Sequence, residues 1–171
     1  PTSPHIPDAS TAAYCAAMGM VGELSVISVG IGYTLPFRTF AAEWIEPLRF
    51  AEKLNARKLD GVLFRPIVYK PFYGRQKDKT LGGVQVHITD YARVHLLGLP
   101  FICLEVLSEL YPDKNPFLLA DSSRLAMFDK VAGSDQIRTL FARRMHYEDI
   151  RDYLQKDVAS FRKHSAKYFL Y

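Results

Sequence analysis

The sequence is poor in cysteine. Only Cys15 and Cys103 occur in 171 residues, and the single disulfide they could form is too little to staple a chain of this size, so buried free thiols are the simpler expectation. It also lacks any run approaching 18 uncharged apolar residues, which excludes a membrane-spanning helix. An excess of charge is missing too. Lys and Arg number 22 against 18 Asp and Glu, a formal balance of +4, well short of the bias that proteins coating nucleic acid or membranes usually carry. The stretch that opens at Pro1 does not read as a basic-then-apolar export leader, and no compartment is legible from it. Several chemical signatures are absent. Gly30-Ile31-Gly32 has no third glycine for a dinucleotide fingerprint, no phosphate loop with Gly-Lys-Ser/Thr occurs, no cysteine pair has zinc spacing, and no Ser or Cys sits in a nucleophile elbow.

What is present is apolar and aromatic. Hydrophobic residues make up 49% of the chain, with 10 Tyr and 11 Phe, a globular composition sufficient for one domain with a true core. Three prolines in Pro1 to Ser10 read as an arm, and residues 1–19 as an arm or linker before a single domain over 20–171. Within that arm, Thr11 to Met20 has the makings of a short helix capped by Ser10 or Thr11. Leu24 to Val29 reads as a strand broken by Gly30, Gly32, Thr34 and Pro36. Pro47 in a first turn, with Phe50, Ala51 and Leu54 on one face, predicts a helix at about 46–57. Strands follow at Val62–Ile67 and around Val84, Val86 and Ile88, whose alternation with Gln85, His87 and Thr89 is the cleanest period-2 signal in the chain. Helices are predicted at 96–110, at 134–142 behind a Ser134 cap, and at 147–166 with Ile150, Leu154, Val158 and Phe161 inward. The bulky ending Tyr168-Phe169-Leu170-Tyr171 would be a liability at a terminus unless it docks back on the body, or else offers exposed aromatics to a partner. Because no regular βαβ unit repeats, the fold class is α+β, a mixed sheet with packed helices in one domain.

The longest irregular stretch, Tyr69 to Gly83, interleaves Tyr69, Phe72 and Tyr73 with Lys70, Arg75, Lys77 and Lys79. Aromatic platforms edged by polar groups suit sugars as well as single-stranded nucleic acid. No recognisable nucleic-acid module surrounds them, so no nucleic-acid partner is expected, and plain loop solubility is the alternative. Glu23, between Gly22 and an apolar run, is placed at the rim of the core. There it is a candidate general acid, or a hydrogen-bonding anchor for nearby loop N–H groups. Glycoside chemistry needs a second carboxylate, and the candidates Asp90 and Glu43 have no defined position. His87, Asp90 and His95 would make a metal site only if residues 87 and 90 shared a face, which strand geometry opposes, so no metal and no cofactor are expected.

Gly22-Glu23-Leu24-Ser25-Val26-Ile27-Ser28-Val29-Gly30-Ile31-Gly32-Tyr33-Thr34-Leu35-Pro36-Phe37 resembles a signature of the YbbC-type (DUF1343) family, some of whose members are exo-acting β-N-acetylmuramidases of peptidoglycan recycling. Three further stretches agree in order and spacing: Phe50 to Asn55 with Gly61 to Pro66, then Gly83 to Asp90, then Tyr111-Pro112 with the Phe169-Leu170-Tyr171 ending. The resemblance implies a two-domain parent in which an N-terminal Rossmann-like domain carries the probable catalytic glutamate. This chain would be the C-terminal domain, closing the other wall of the cleft and not catalytic alone. It further implies that Glu23, Ser28, Gly30, Gly32, Arg65, Tyr73, His87 and Asp90 hold a peptidoglycan-derived amino sugar or the opposing domain, in a periplasmic or extracellular setting. Where muramidase-like members usually carry Arg between the two glycines, Ile31 stands here. Tyr33 replaces the following Thr, and Leu81 or Gly82 replaces a frequent cysteine. These departures leave the fold untouched and the exact glycan open. A carbohydrate or cell-wall binding module, or a protein-interaction domain, is the alternative.

Overall fold

Residues 3–169 are described by the computed structural model. The alternating run becomes β3 (Leu81–Ile88), the central strand, with β2 (Val62–Tyr69) and β1 (Thr39–Ala42) at its sides. Both pairings are antiparallel, running from Val62↔Ile88 to Tyr69↔Leu81 and from Thr39↔Gln85 to Ala42↔Gly82. Pro66 is accommodated inside β2 because that strand is an edge, where a missing N–H breaks no inner ladder. The outer edge is further satisfied by Asn55, whose side chain accepts from Phe64 N at 3.0 Å and donates to Phe64 O at 2.8 Å.

Strand parity puts Phe40, Val84, Val86, Val62 and Phe64 on one buried face. Helix α2 (Pro47–Asn55) lies against that face through buried Phe50, Ala51 and Leu54. Its start is fixed by Pro47 and by Glu46, which accepts from Leu48 N at 3.0 Å and Arg49 N at 2.7 Å. Behind it runs α3 (Leu99–Leu110), with Pro100 tolerated in its first turn and Phe101, Leu104 and Leu107 fully buried. Three short helices, α4 (Pro116–Leu119), α5 (Ser122–Ala132) and α6 (Asp135–Phe141), close over α3. Phe117, Phe128 and Phe141 join Phe101 in an edge-to-face cluster with centroids 5.1 to 6.5 Å apart. The α+β class with packed helices is what this arrangement is, and α6 begins at its Ser134 cap. Among the described residues no helix is long and apolar enough to cross a membrane.

Four expectations need correction. The arm is shorter than 1–19, because α1 (Thr11–Gly22) places Ala17, Met18 and Val21 in the core at 0% exposure. Leu24 to Val29 is not a strand. Ser25 has φ 60 and Gly30 φ 89, so the chain turns at both ends and only Ser28 pairs, with Ala41. The strand of this region is instead β1. The predicted last helix divides into α7 (Glu148–Gln155) and α8 (Val158–Ser165). Ile150 is buried, but Phe161 is 68% exposed, and Tyr168 and Phe169 stand out from the surface. The rest of that ending, Leu170 and Tyr171, lies outside the described residues. Both cysteines are free; Cys103 is buried and Cys15 half-buried.

Candidate functional site

The segment over 22–37 leaves α1, doubles back twice and delivers the chain to β1. Its two turns depend on Gly30 and Gly32, at φ 89 and 84. A Cβ on Gly30 would lie 2.0 Å from Leu35 O, and one on Gly32 would lie 2.3 Å from Tyr73 O. No side chain fits at either place. Gly32 is also where the loop over 70–80 is clamped down, since Phe72 N donates to Gly32 O at 2.8 Å. Further along, Gln76 donates to Ser25 O at 3.3 Å and Arg75 to Asp121 at 2.9 Å. Tyr73 stacks on His5 from the N-terminal arm, with their centroids 5.9 Å apart, and its hydroxyl bonds the His5 ring.

Between the 22–37 segment and this loop opens a cleft of about 320 Å³. Glu23, Ser25, Arg75 and Gln76 supply polar groups to its wall, while Ile31 and Phe37 make it apolar. Such a mixture suits a small polar ligand with a hydrophobic face. Glu23 follows the last turn of α1 and keeps 36% of its side chain exposed, with Arg124 Nη1 3.8 Å away. Its carboxylate is therefore free to accept from a ligand hydroxyl. Ser28 also borders the cleft but is only 6% exposed. Its Oγ accepts from the Tyr69 hydroxyl, and that hydroxyl also meets Thr39 Oγ1 at 2.8 Å. Burial pushes the Tyr69 phenol up, against the opposing pull of its Ser28 and Thr39 bonds, so it remains a donor at neutral pH. Tyr33 covers this cluster, stacked on Tyr69 with centroids 4.5 Å apart. An apolar crevice of about 510 Å³, walled by Cys15, Leu97, Phe101 and Ile137, adjoins the cleft at Glu23 and Phe37.

The structure thus brings Glu23 and Ser28 to the cleft, and Tyr73 to the loop that bounds it. Gly30 and Gly32 are buried and act through the backbone. Arg65 and His87 share the other face of the sheet, Arg65 opposite Gln85 and His87 opposite Leu63, and neither reaches the cleft wall. His87 Nε2 is buried without a partner. Burial, then the nearby Arg65 and Arg38 charges, hold its pKa below the ordinary histidine value. Asp90 stabilises a turn by accepting from Ala92 N at 2.8 Å and lies apart from the cleft. Among the described residues no three His, Cys, Asp or Glu side chains converge as a metal site. Sequence reasoning missed Ile31, Phe37 and Gln76 as wall residues, and noted Arg75 only as one of several loop cations. Gly74-Arg75, a flexible residue before a cation, was the one local signal.

Residues 13–171 match the family described as Exo-beta-N-acetylmuramidase NamZ, C-terminal. The chain is similar to Peptidoglycan beta-N-acetylmuramidase NamZ of Bacillus subtilis (strain 168), at 30% identity over 169 residues, covering 99% of this chain and 39% of that protein. It is also similar to a DUF1343 family protein from Bacteroides fragilis NCTC 9343, whose crystal structure matches with a TM-score of 0.96 and 47% identity over 100% of this chain and 44% of that one. The chain therefore spans about two-fifths of the length of these relatives. Since the match takes in the signature turns, the three strands and the helices behind them, this chain belongs to the NamZ C-terminal domain family.

Proposed function

We propose that this chain is the substrate-cleft domain of a peptidoglycan amino-sugar glycoside hydrolase of the exo-β-N-acetylmuramidase type, and that it does not cleave alone. One observation carries the reading. The cleft formed by the 22–37 segment holds a single carboxylate among the described residues, Glu23. Glycoside hydrolysis ordinarily uses two carboxyl groups, roughly 5 to 9.5 Å apart, on either side of the scissile bond. The second would come from an N-terminal Rossmann-like domain of the same parent, and relatives more than twice as long as this chain support such a parent. Glu23 then binds a sugar hydroxyl or assists the partner carboxylate. Phe72, 62% exposed, and Tyr73 offer ring faces to a pyranose at the cleft edge. A peptidoglycan substrate would put the parent in the periplasm or outside the cell.

Phe72 and Tyr73 also favour a second reading, a carbohydrate-binding module without chemistry. Hydrolysis of a chromogenic N-acetylmuramide and N-acetylglucosaminide by this chain, alone and joined to the Rossmann-like domain, tests both. Turnover of the muramide only in the joined protein is expected. Full-rate turnover by the chain alone would overturn the proposal, and sugar binding with no turnover in either form would favour the module.

A further inference from the structure

We propose that an apolar trough running from the cleft to the C-terminal helices is the surface on which the preceding domain of the parent docks. This rests on the two-domain parent proposed above and adds the face on which its halves meet. Three hollows join to form the trough. Glu23 and Phe37 belong to the cleft and to the crevice alike. Leu154 belongs to the crevice and to a groove of about 590 Å³ along α7 and α8. Val158, Phe161 and Phe169 line that groove, and both phenylalanines are mostly exposed. Leu97 and Val131 stand half out of the crevice. A soluble protein rarely leaves so long an apolar tract open to water unless another surface covers it.

Helix α8 makes the same demand. It is 8 residues long and none of them is buried. A helix shorter than about 12 to 15 residues is marginal in water without a packed face, so α8 needs a cover that this chain does not supply. The preceding domain is the occupant for two reasons. Its carboxylate has to come within about 9.5 Å of Glu23 to share a glycosidic bond, and Glu23 stands where cleft and crevice join. A surface laid over Glu23 therefore extends along the trough, and relatives more than twice as long as this chain have the material to do so. Charge sets the chemistry of the docking face. Lys156 and Arg162 line the groove, Lys163 and Lys167 are exposed beside it, and Asp157 is the one acid among the described lining residues. The face that fits is an apolar ridge flanked by Asp or Glu.

The test compares amide hydrogen exchange over 158–165, and alkylation of Cys15 in the crevice, between this chain alone and the joined parent. Both should slow by about tenfold or more in the joined protein. Phe161→Ser should return α8 to the rate of the isolated chain, and it should leave the unfolding midpoint of that chain unchanged because the side chain is exposed there. Leu118→Ser, equally exposed but off the trough, should change neither rate. Equal rates in the two forms would overturn the docking surface, and muramide turnover by the same joined protein would leave the proposed function standing. Slowed rates with no turnover would support the surface and count against the hydrolase. Protection of α8 in the isolated chain that rises with concentration, with a dimer mass in sedimentation, would overturn the inference in favour of a second copy. Protection that appears only with phosphatidylglycerol vesicles would overturn it in favour of a lipid surface.

Discussion

Tyr69 donates its hydroxyl to Ser28 Oγ at 2.8 Å, joining residues 41 positions apart in the chain. One end of β2 is thereby tied to the 22–37 segment from inside the protein, with Thr39 of β1 as the third member. Tyr69→Phe keeps the ring and its stacking on Tyr33 but removes the shared hydroxyl. The Ser28 and Thr39 hydroxyls, both in buried residues, then each lose a partner. A loss of about 1–3 kcal/mol in unfolding free energy is expected, read from urea denaturation. An unchanged midpoint would mean that water replaces the phenol without cost.

Gly32 and Gly74 have nearly the same backbone conformation, φ 84 and 85, but different surroundings. At Gly74 a methyl meets open space, so Gly74→Ala should cost only the left-handed penalty, about 1–2 kcal/mol. At Gly32 the same methyl strikes Tyr73 O, and the clash adds to that penalty. Gly32→Ala is expected to be the more destabilising change and to release the 70–80 loop, carrying Arg75 and Gln76 away from the cleft. Paired urea titrations, with amide exchange at Phe72, check both parts. Equal destabilisation by the two variants would show that the loop is not held at Gly32.

The elements that the sequence announced are those whose signals are local. Pro47 with the spacing of Phe50, Ala51 and Leu54 marks α2, and the alternation around Val84 marks β3. Thr39–Ala42 escaped because all four residues are buried, which leaves no alternation to see. The false strand at Leu24–Val29 arose because Ser25 adopts a positive φ without being glycine. At the site, Glu23 was legible from its place before an apolar run, whereas Gln76 became a wall residue only through contacts some fifty positions away. Strand parity places Arg65 and His87 on a common face of the sheet. It carries no information about whether that face borders the cleft, and here it does not.

His87 makes the stability of the domain depend on pH. Burial first, and Arg65 and Arg38 after it, lower its pKa from the ordinary 6.5 in the folded protein. The unfolded chain therefore binds the proton more readily. His87 leaves stability untouched well above pH 6.5 and subtracts from it as pH falls through that value toward the folded pKa. His87→Gln should be less sensitive to acid than the native chain, and the difference should vanish at neutral to mildly alkaline pH. Urea midpoints of the two proteins across that range give the comparison. A parallel fall in both would remove His87 as the cause.

The two thiols should differ in reactivity because thiolate, not thiol, is the nucleophile. Burial pushes Cys103 far above the ordinary thiol value of 9.0, and its side chain is fully enclosed on α3. Cys15 is also raised by burial, but it is half-buried and borders the crevice that adjoins the cleft. In the native protein a small alkylating reagent should modify Cys15 slowly and leave Cys103 intact, and both should react in denaturant. Peptide mass mapping after timed labelling distinguishes them. Because Cys103 is fully buried on α3, which packs against α1, α2 and the phenylalanines of α5 and α6, it can be reached only when the core opens. Its labelling rate should therefore follow global stability across the Tyr69 and Gly32 variants, while that of Cys15 follows local access to the crevice. Rapid native labelling of Cys103 would contradict the packing of α3 itself.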